Sequence, residues 1–304
     1  MPASEYHWLG DVPLQWRTFL DTPPNENHPD DAGVFVIPVP YDSTTSFKAG
    51  ARHGPAAIIE ASKHIEDYDI ELDCDISATG IHTTPELLPQ MDSPQSMIAA
   101  VRTAVATAAS HGKLTALLGG EHTITMGAVQ AYKTLNPDLS VLYLDAHADM
   151  RDCYQGTRWG HASVARRIME FCPVALVGVR STSEEEMHLI RTHRIPTAFW
   201  TAGSPDNVPD AMAIMSESLT DKVYISIDLD VLDPSLMSAV GTPEPGGMLW
   251  HDALELLRIV SRRAEIVGFD IVELSPREGP IACAFTAAKL AYKLIGYATA
   301  TRRR

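Results

Sequence analysis

Carboxylate and imidazole side chains carry the clearest chemical signal in this sequence. Asp145, His147 and Asp149 alternate in the segment DAHAD, directly after the apolar run SVLYL. Alternate residues of an extended backbone point to the same side, so these three side chains can converge on one point. Oxygen and neutral imidazole ligands together suit divalent transition metals. The segment therefore predicts part of a metal site.

Two further segments supply more candidate ligands. His122 follows a Gly-Gly pair in GGEH, where backbone freedom lets the imidazole reach inward, and two aspartates follow the apolar run KVYISI. A single Asp after a strand more often caps the next helix, so the prediction depends on the whole set. The predicted metal ligands are His122, Asp145, His147, Asp149, Asp228 and Asp230.

The charge of this set predicts how many ions it binds. Four aspartates at one site repel one another unless positive charge compensates them. The motifs contain no Lys or Arg, so two divalent cations are the simplest counter-charge. Four carboxylates and two imidazoles suit Mn²⁺ better than Zn²⁺, with Co²⁺ or Ni²⁺ as alternatives. Two such ions activate water at neutral pH, which predicts a metal-dependent hydrolase with two Mn²⁺ per chain.

Predicted strands and helices alternate along the chain, and they must position these residues. The strands are short apolar runs, and the helices are longer segments with a helical pattern of apolar residues. Continuous apolar strands are buried on both faces, which predicts an α/β fold: a three-layer α/β/α sandwich with a mostly parallel sheet. The predicted strands are GVFVIP, LTALL, SVLYLD, VALVGV, TAFW, KVYISID and EIVGFDI. Helices are predicted near 55–66, after Gly119, from about 161, and near 184–194, 208–218, 249–262 and 281–298.

The polar motifs follow the predicted strands. Ligands in such sheets bind beyond the carboxyl ends of the strands. GGEH, DAHAD, DLD and ELSPRE each come directly after an apolar run. We therefore expect four strand ends to bring these motifs to one edge of the sheet.

Composition limits the domain organisation and the ligand class. Residues 1–32 are polar and proline-bearing and are predicted to form an N-terminal arm, followed by one catalytic domain over 33–304. The net charge of -15 disfavours nucleic acid and anionic membranes as partners and favours a small cationic ligand. Four scattered cysteines without a C-x-x-C pair, and no signal peptide or membrane-length apolar run, predict a cytoplasmic protein.

The sequence resembles the arginase and agmatinase family of ureohydrolases from about Gly33 onward. GGEH at 119–122, DAHAD at 145–149, SIDLDVLDP at 226–234 and GTPEPGG at 241–247 carry this resemblance. It implies an arginase-like fold, hydrolysis of a guanidino group to urea and an amine, and a homotrimer or homohexamer. It also implies that His122, Asp145, Asp149 and Asp228 bind one metal, and that Asp145, His147, Asp228 and Asp230 bind the other.

The resemblance also implies three catalytic residues. Glu273, in DIVELSP, matches the glutamate that pairs with the substrate guanidinium, and a carboxylate can do so bidentately. His161 matches the proton-shuttle histidine, and Asp149 is expected to transfer a proton from the nucleophile to the leaving nitrogen. Without the metal motifs, Glu273 would be an ordinary strand-end residue and His161 a residue at the start of a helix.

The substrate prediction depends on two loops. YDSTTSFKAGARHGPAAI at 41–58 and GHASVARRI at 160–168 resemble the agmatinase branch. The loop CYQGTRWGHA lacks the serine and asparagine with which arginases hold the amino-acid end of arginine. The predicted reaction is therefore agmatine to putrescine and urea. Aminopropylagmatine, 4-guanidinobutanoate and 3-guanidinopropanoate stay open as alternative substrates.

Charged residues near these loops bear on that choice. Arg158 would favour a carboxylate tail if it faced the cleft, and would be uninformative if it faced solvent. Asp152 or the run Glu184, Glu185 and Glu186 would favour an ammonium tail if they lay at the cleft mouth. The alternative for the glutamate run is a solvated first helical turn that complements the helix dipole.

Other protein classes explain less of the sequence. A single-metal deacetylase of the same broad fold accounts for Asp-x-His and a later aspartate, but leaves His122, Asp149 and Asp230 unexplained. A non-catalytic relative would be expected to lack some of the ligands, and all six are present. Cys153 has no histidine base placed beside it by a motif, so a cysteine nucleophile is not predicted.

Overall fold

The computed structural model describes residues 16–23 and 28–300. Within these ranges, eight strands form one sheet in which all neighbouring strands are parallel, and two short strands form a separate antiparallel pair. The strands are β1 Val34–Val39, β2 Tyr68–Asp69, β3 Cys74–Asp75, β4 Ile81–Thr83, β5 Leu114–Gly119, β6 Ser140–Leu144, β7 Val174–Val179, β8 Thr197–Phe199, β9 Lys222–Asp228 and β10 Glu265–Val272. The order across the large sheet is β4-β1-β5-β10-β9-β6-β7-β8.

Helices cover both faces of the sheet. They are α1 Gly54–Ser62, α2 Pro94–Ser110, α3 Thr125–Leu135, α4 Val164–Met169, α5 Glu184–His193, α6 Asn207–Ser218, α7 Trp250–Arg263 and α8 Ile281–Ala300. The first helix and the last three pack on one face, and α2 to α5 pack on the other. In β6, Leu142 and Leu144 join the first core while Val141 and Tyr143 join the second, as strand alternation requires. The predicted three-layer α/β/α sandwich is confirmed.

The predicted elements differ from the structure at several points. Every predicted strand is present, but the helix expected near 55–66 ends at Ser62 and the regular helix after His161 covers only Val164–Met169. Helix α2 was not predicted, because alanines occupy its outer face as well as its buried face and weaken the apolar contrast. Its start is marked by Ser93, whose side chain accepts the Ser96 N–H at 3.2 Å, followed by a proline in the first turn.

Part of the predicted N-terminal arm packs on the chain's own core. Residues 1–15 and 24–27 of that arm lie outside the described residues. Phe19 is fully buried, and its N–H donates to Thr83 Oγ1 at 2.8 Å. The N–H of Leu20 donates to Ser62 Oγ at 2.9 Å. These contacts fasten residues 16–23 between β4 and α1.

The helices and cysteines of the described ranges agree with the absence of a membrane-length apolar run and of paired cysteines in the sequence. None of these helices is long and apolar enough to cross a membrane. All four cysteines are free, with Cys172 and Cys283 buried and Cys153 exposed. Burial raises the pKa of the Cys172 thiol to about 11, which makes it a poor nucleophile.

Candidate metal centre

The strand order explains why the polar motifs meet. Strands β5, β10, β9 and β6 are consecutive neighbours, and their carboxyl ends lie at the same edge of the sheet. His122 follows β5, Glu273 follows β10, Asp228 ends β9 and Asp145 follows β6. The structure brings all six predicted ligands to this edge. Five of them are buried, and the His147 side chain is 27% exposed.

The candidate ligands form two groups that share one carboxylate. His122 Nδ1 lies 3.2 Å from Asp145 Oδ2, 3.3 Å from Asp228 Oδ2 and 3.6 Å from Asp149 Oδ2. His147 Nδ1 lies 2.9 Å from Asp230 Oδ2 and 3.5 Å from Asp145 Oδ1. Asp145 therefore turns one oxygen towards each group, which suits a carboxylate between two ions.

The electrostatics of this cluster fit divalent cations. Burial first, and then neighbouring carboxylates, raise the pKa of Asp149 and of Asp228 well above the ordinary value. Among the described residues, the buried Asp145 Oδ2 accepts no hydrogen bond, although His122 Nδ1 is 3.2 Å away. Clustered carboxylates with an unsatisfied buried oxygen require positive charge. The residues present therefore fit a pair of metal ions.

A buried chain of hydrogen bonds sets the tautomer of His122. Its Nε2 lies 2.8 Å from Ser226 Oγ, whose proton is donated to Asp270 Oδ1 at 2.7 Å. Tyr224 donates to the other oxygen of Asp270 at 2.8 Å. Because the Ser226 proton is committed to Asp270, His122 donates from Nε2 and leaves the Nδ1 lone pair facing the carboxylates. The nitrogen available for a metal is Nδ1, and these partners would orient it.

Tyr143 contacts two of the candidate ligands, His122 and Asp149. Its ring stacks on His122 with centroids 4.5 Å apart, and its hydroxyl donates to Asp149 Oδ2 at 2.7 Å. Sequence reasoning did not identify Tyr143, Ser226 or Asp270 as site residues. The usable signal was Asp270, since an aspartate within a continuous apolar strand needs buried partners.

The two other predicted catalytic residues line the same cleft of about 330 Å³. Glu273 Oε1 accepts the backbone N–H of His122 at 2.7 Å. Burial, and next the charge of Glu121, raise the pKa of Glu273 to about 8. His161 Nδ1 lies 3.2 Å from Thr44 Oγ1. Burial, and next the charges of His122 and His147, lower the pKa of His161 to about 4.

Most of the charged residues that would bear on the substrate tail lie outside the cleft. Arg158 does not line the cleft; its Nη2 contacts Asp152 Oδ1 at 2.9 Å and its side chain is 53% exposed. Asp152, which would favour an ammonium tail only if it lay at the cleft mouth, does not line the cleft and pairs with Arg158 instead. Glu184 and Glu185 are exposed, in agreement with a solvated helical turn.

Glu186 differs from the rest of its run. It is buried beside the cleft, where its carboxylate accepts the N–H of Ser183 at 2.9 Å and that of Met150 at 2.9 Å. The solvated-turn interpretation is therefore wrong for this glutamate. Its carboxylate caps α5 and holds the end of the DAHAD segment, so it is largely occupied by protein donors.

Arg151 is a cleft residue that sequence reasoning missed. Its guanidinium lies 4.7 Å from the centre of the Tyr154 ring and its Nε is 4.0 Å from Glu186 Oε2. Cys153, two residues further on, is exposed and does not line the cleft within the described chain. The site therefore presents no cysteine nucleophile beside the ligand cluster.

The fold and the clustered ligands define the class of a metal-dependent α/β hydrolase. Comparison with known proteins narrows this class. The model of the arginase family matches residues 32–296. The N(1)-aminopropylagmatine ureohydrolase of Synechocystis sp. is 39% identical over 275 residues, which cover 88% of this chain and 89% of the relative. The agmatinase of Pyrococcus horikoshii is 38% identical over 268 residues, covering 88% and 92%.

A solved structure agrees with these sequence matches. The agmatine ureohydrolase of Thermoplasma volcanium is 30% identical and has a TM-score of 0.85, covering 99% of both chains. The chain belongs to the arginase family, and it is a ureohydrolase. Family membership and the presence of both ligand groups argue against the single-metal deacetylase alternative.

Proposed function

We propose that this ureohydrolase cleaves the guanidino group of a guanidinoalkylamine, with agmatine and N(1)-aminopropylagmatine as its substrates. The products would be urea and a polyamine, putrescine in the case of agmatine. The observation that carries the proposal is the position of Glu273, which lines the same cleft as the candidate metal ligands and contacts the backbone of His122. The names of the relatives from Synechocystis sp. and Pyrococcus horikoshii support the amine tail.

Glu273 is proposed to bind the guanidinium. Each carboxylate oxygen accepts two hydrogen bonds, so the contact with the His122 N–H leaves acceptor positions on both oxygens. Two guanidinium N–H groups can then pair with the carboxylate side by side. Because burial raises the pKa of Glu273 to about 8, a cation beside it would favour the ionised form. This pairing fixes the guanidinium carbon next to the metal cluster.

The candidate ligands are proposed to hold two ions in the arrangement that the family resemblance implies. When bound, the two cations would lower the pKa of water and supply a nucleophile at neutral pH. Asp149, whose Oδ2 accepts the Tyr143 hydroxyl, would take the proton released by that water at Oδ1. His161 would receive that proton and pass it to the leaving nitrogen as the C–N bond breaks.

Three finer properties are proposed on the same grounds. Manganese is the expected ion, because four carboxylates and two imidazoles form an oxygen-rich set, and Co²⁺ or Ni²⁺ would also fit. A homotrimer or homohexamer follows from the family resemblance. Cytoplasmic location follows from four free and scattered cysteines.

Arg151 favours a second candidate, hydrolysis of a guanidino acid. A guanidinium on the cleft wall would attract the carboxylate of 4-guanidinobutanoate or 3-guanidinopropanoate. Its charge is partly balanced by Glu186, whose Oε2 lies 4.0 Å from the Arg151 Nε. Arg158 makes no contribution to this choice, because it does not line the cleft.

Both amine substrates are expected to exceed arginine in kcat/KM by about a hundredfold or more. Arginine differs from agmatine by its α-carboxylate, for which the loop CYQGTRWGHA lacks the serine and asparagine that arginases use, and the charge of Arg151 is already partly balanced by Glu186. A buried charge that is poorly paired costs several kcal/mol. Urea release from these three compounds and from both guanidino acids measures the order directly. If a guanidino acid had a higher kcat/KM than both amines, the proposed amine tail of the substrate would be wrong. Arg151→Ala should then lower kcat/KM selectively for the guanidino acid. Arginine outrunning both amines would contradict the tail assignment as well.

A further inference from the structure

Glu121 lies beside His122 but is not one of the candidate ligands. It is fully buried, and its carboxylate accepts four hydrogen bonds. Its Oε2 accepts the N–H groups of Ser43 and Thr44, both at 2.6 Å. Its Oε1 accepts the hydroxyls of Thr44 at 2.7 Å and Thr123 at 2.6 Å. Four donors fill the acceptor positions of a carboxylate, so Glu121 has no capacity left for a substrate.

Thr44 connects this carboxylate to His161. Its Oγ1 accepts the backbone N–H of His161 at 3.0 Å and lies 3.2 Å from His161 Nδ1. A threonine hydroxyl carries one proton, and that proton is donated to Glu121. The contact with Nδ1 therefore requires His161 to be the donor. The neutral ring then carries its proton on Nδ1, and the Nε2 lone pair accepts from Ser46 Oγ at 3.1 Å.

We propose that Glu121 and Thr44 are positioning residues that hold His161 in its Nδ1–H tautomer, so that Nε2 carries the proton to the leaving nitrogen. This inference rests on the proposed function, from which the proton-transfer role of His161 comes. The neutral ring takes up at Nε2 the proton that the attacking water released through Asp149, and gives it up as the C–N bond breaks. The electron pair of that bond goes to the departing nitrogen, which takes the proton, and His161 returns to the neutral Nδ1–H form.

The backbone around Glu121, Thr44 and His161 is packed so closely that two positions in it require glycine. A Cβ on Gly120 would lie 1.9 Å from the carbonyl oxygen of Tyr41, and the Glu121 N–H donates to that same oxygen at 2.7 Å. A Cβ on Gly160 would lie 3.0 Å from Thr44 Oγ1. The two glycines therefore let the GGEH turn and the start of the His161 segment approach the loop that carries Thr44.

The tautomer can be measured without any substrate. Histidine-selective ¹⁵N NMR of the Zn²⁺-loaded protein, assigned with His161→Gln, should show the His161 proton on Nδ1. In Glu121→Gln the amide oxygen must face the two backbone N–H groups, so the amide N–H groups face the threonine hydroxyls. Thr44 then accepts from the amide and donates to His161, which should move the ring proton to Nε2. Protonation at Nε2 in the wild type, or the same tautomer in both proteins, would overturn the proposal.

Kinetic measurements can show whether Thr44 positions His161 or only stabilises the folded protein. Thr44→Val should lower kcat for an alkylguanidine by about ten- to a hundredfold, with little change in KM, and Thr44→Ser should restore it. The loss should shrink for a guanidinooxy analogue, whose less basic leaving nitrogen depends less on an acid. Thr83→Val, which removes a buried hydroxyl that binds the Phe19 N–H, is the matched control and should keep kcat.

Two outcomes of these kinetic measurements would overturn the proposal. One is an equal loss for both leaving groups, and the other is Thr44→Ser as slow as Thr44→Val. Failure of the proposed function has a different signature, because the wild type would then release no urea from either amine. The role of Glu121 and Thr44 in fixing the His161 tautomer would in that case be tested by the NMR measurement, which does not depend on turnover.

Discussion

Asp228→Asn is expected to lower kcat/KM by about a thousandfold or more, because several kcal/mol of ion-dependent stabilisation would be lost. Asp228 Oδ2 lies 3.3 Å from His122 Nδ1, and Oδ1 accepts the Asp230 N–H at 2.9 Å. An asparagine oxygen can keep the second contact, so the loop should fold normally. What is lost is one negative charge at the position proposed to lie between the two ions.

The metal-free protein provides an independent check on this variant. Burial and neighbouring carboxylates raise the pKa of Asp228, so removing its charge relieves repulsion when no ion is bound. Asp228→Asn should therefore unfold at a higher temperature than the wild type in chelator, and at a lower temperature with manganese. Asp210→Asn, on the exposed side of α6, is the matched control and should change neither. Wild-type turnover in Asp228→Asn with both ions bound would remove this residue from the metal site.

Glu273→Gln is expected to keep both metal ions and to lose about a hundred- to a thousandfold in kcat/KM. Its amide oxygen can still accept the His122 N–H, which Glu273 Oε1 accepts at 2.7 Å in the structure. The amide N–H groups would face the guanidinium donors, so bidentate pairing is lost. Metal content and urea release should be measured on the same preparation.

The controls for Glu273 distinguish substrate binding from metal binding. Glu255→Gln, on the exposed face of α7, should leave both properties unchanged. Loss of one ion in Glu273→Gln would mean that the glutamate is a metal ligand. Full activity with both ions bound would exclude it from guanidinium binding.

The clustering of the candidate metal ligands could be predicted because they lie within short motifs next to strongly apolar strands. DAHAD alternates along an extended backbone, and Asp228 and Asp230 share one short segment, so local spacing already aims the side chains together. The parallel sheet follows from continuous apolar runs, and the carboxyl ends of parallel strands share an edge. The position of the site in the fold followed from these two facts.

Tertiary contacts determine what the sequence did not predict. Arg151 and Arg158 lie on the same loop, yet only the first lines the cleft, while the second pairs with Asp152 outside it. Thr44 contacts Glu121 across 77 positions of sequence and His161 across 117, and neither separation has a local pattern. Asp270 lies within an apolar strand. The pattern of that strand predicts that Asp270 is buried, but not that Tyr224 and Ser226 donate hydrogen bonds to its carboxylate.

Metal analysis of fully active protein tests the paired-metal site most directly. The two groups of candidate ligands share Asp145 and, with Asp228 beside His122, together contain four carboxylates, so two divalent ions per chain are expected. Chelation should abolish urea release, and activity should return with the second equivalent of manganese rather than the first. Full activity with a single ion per chain, or with none, would contradict the account.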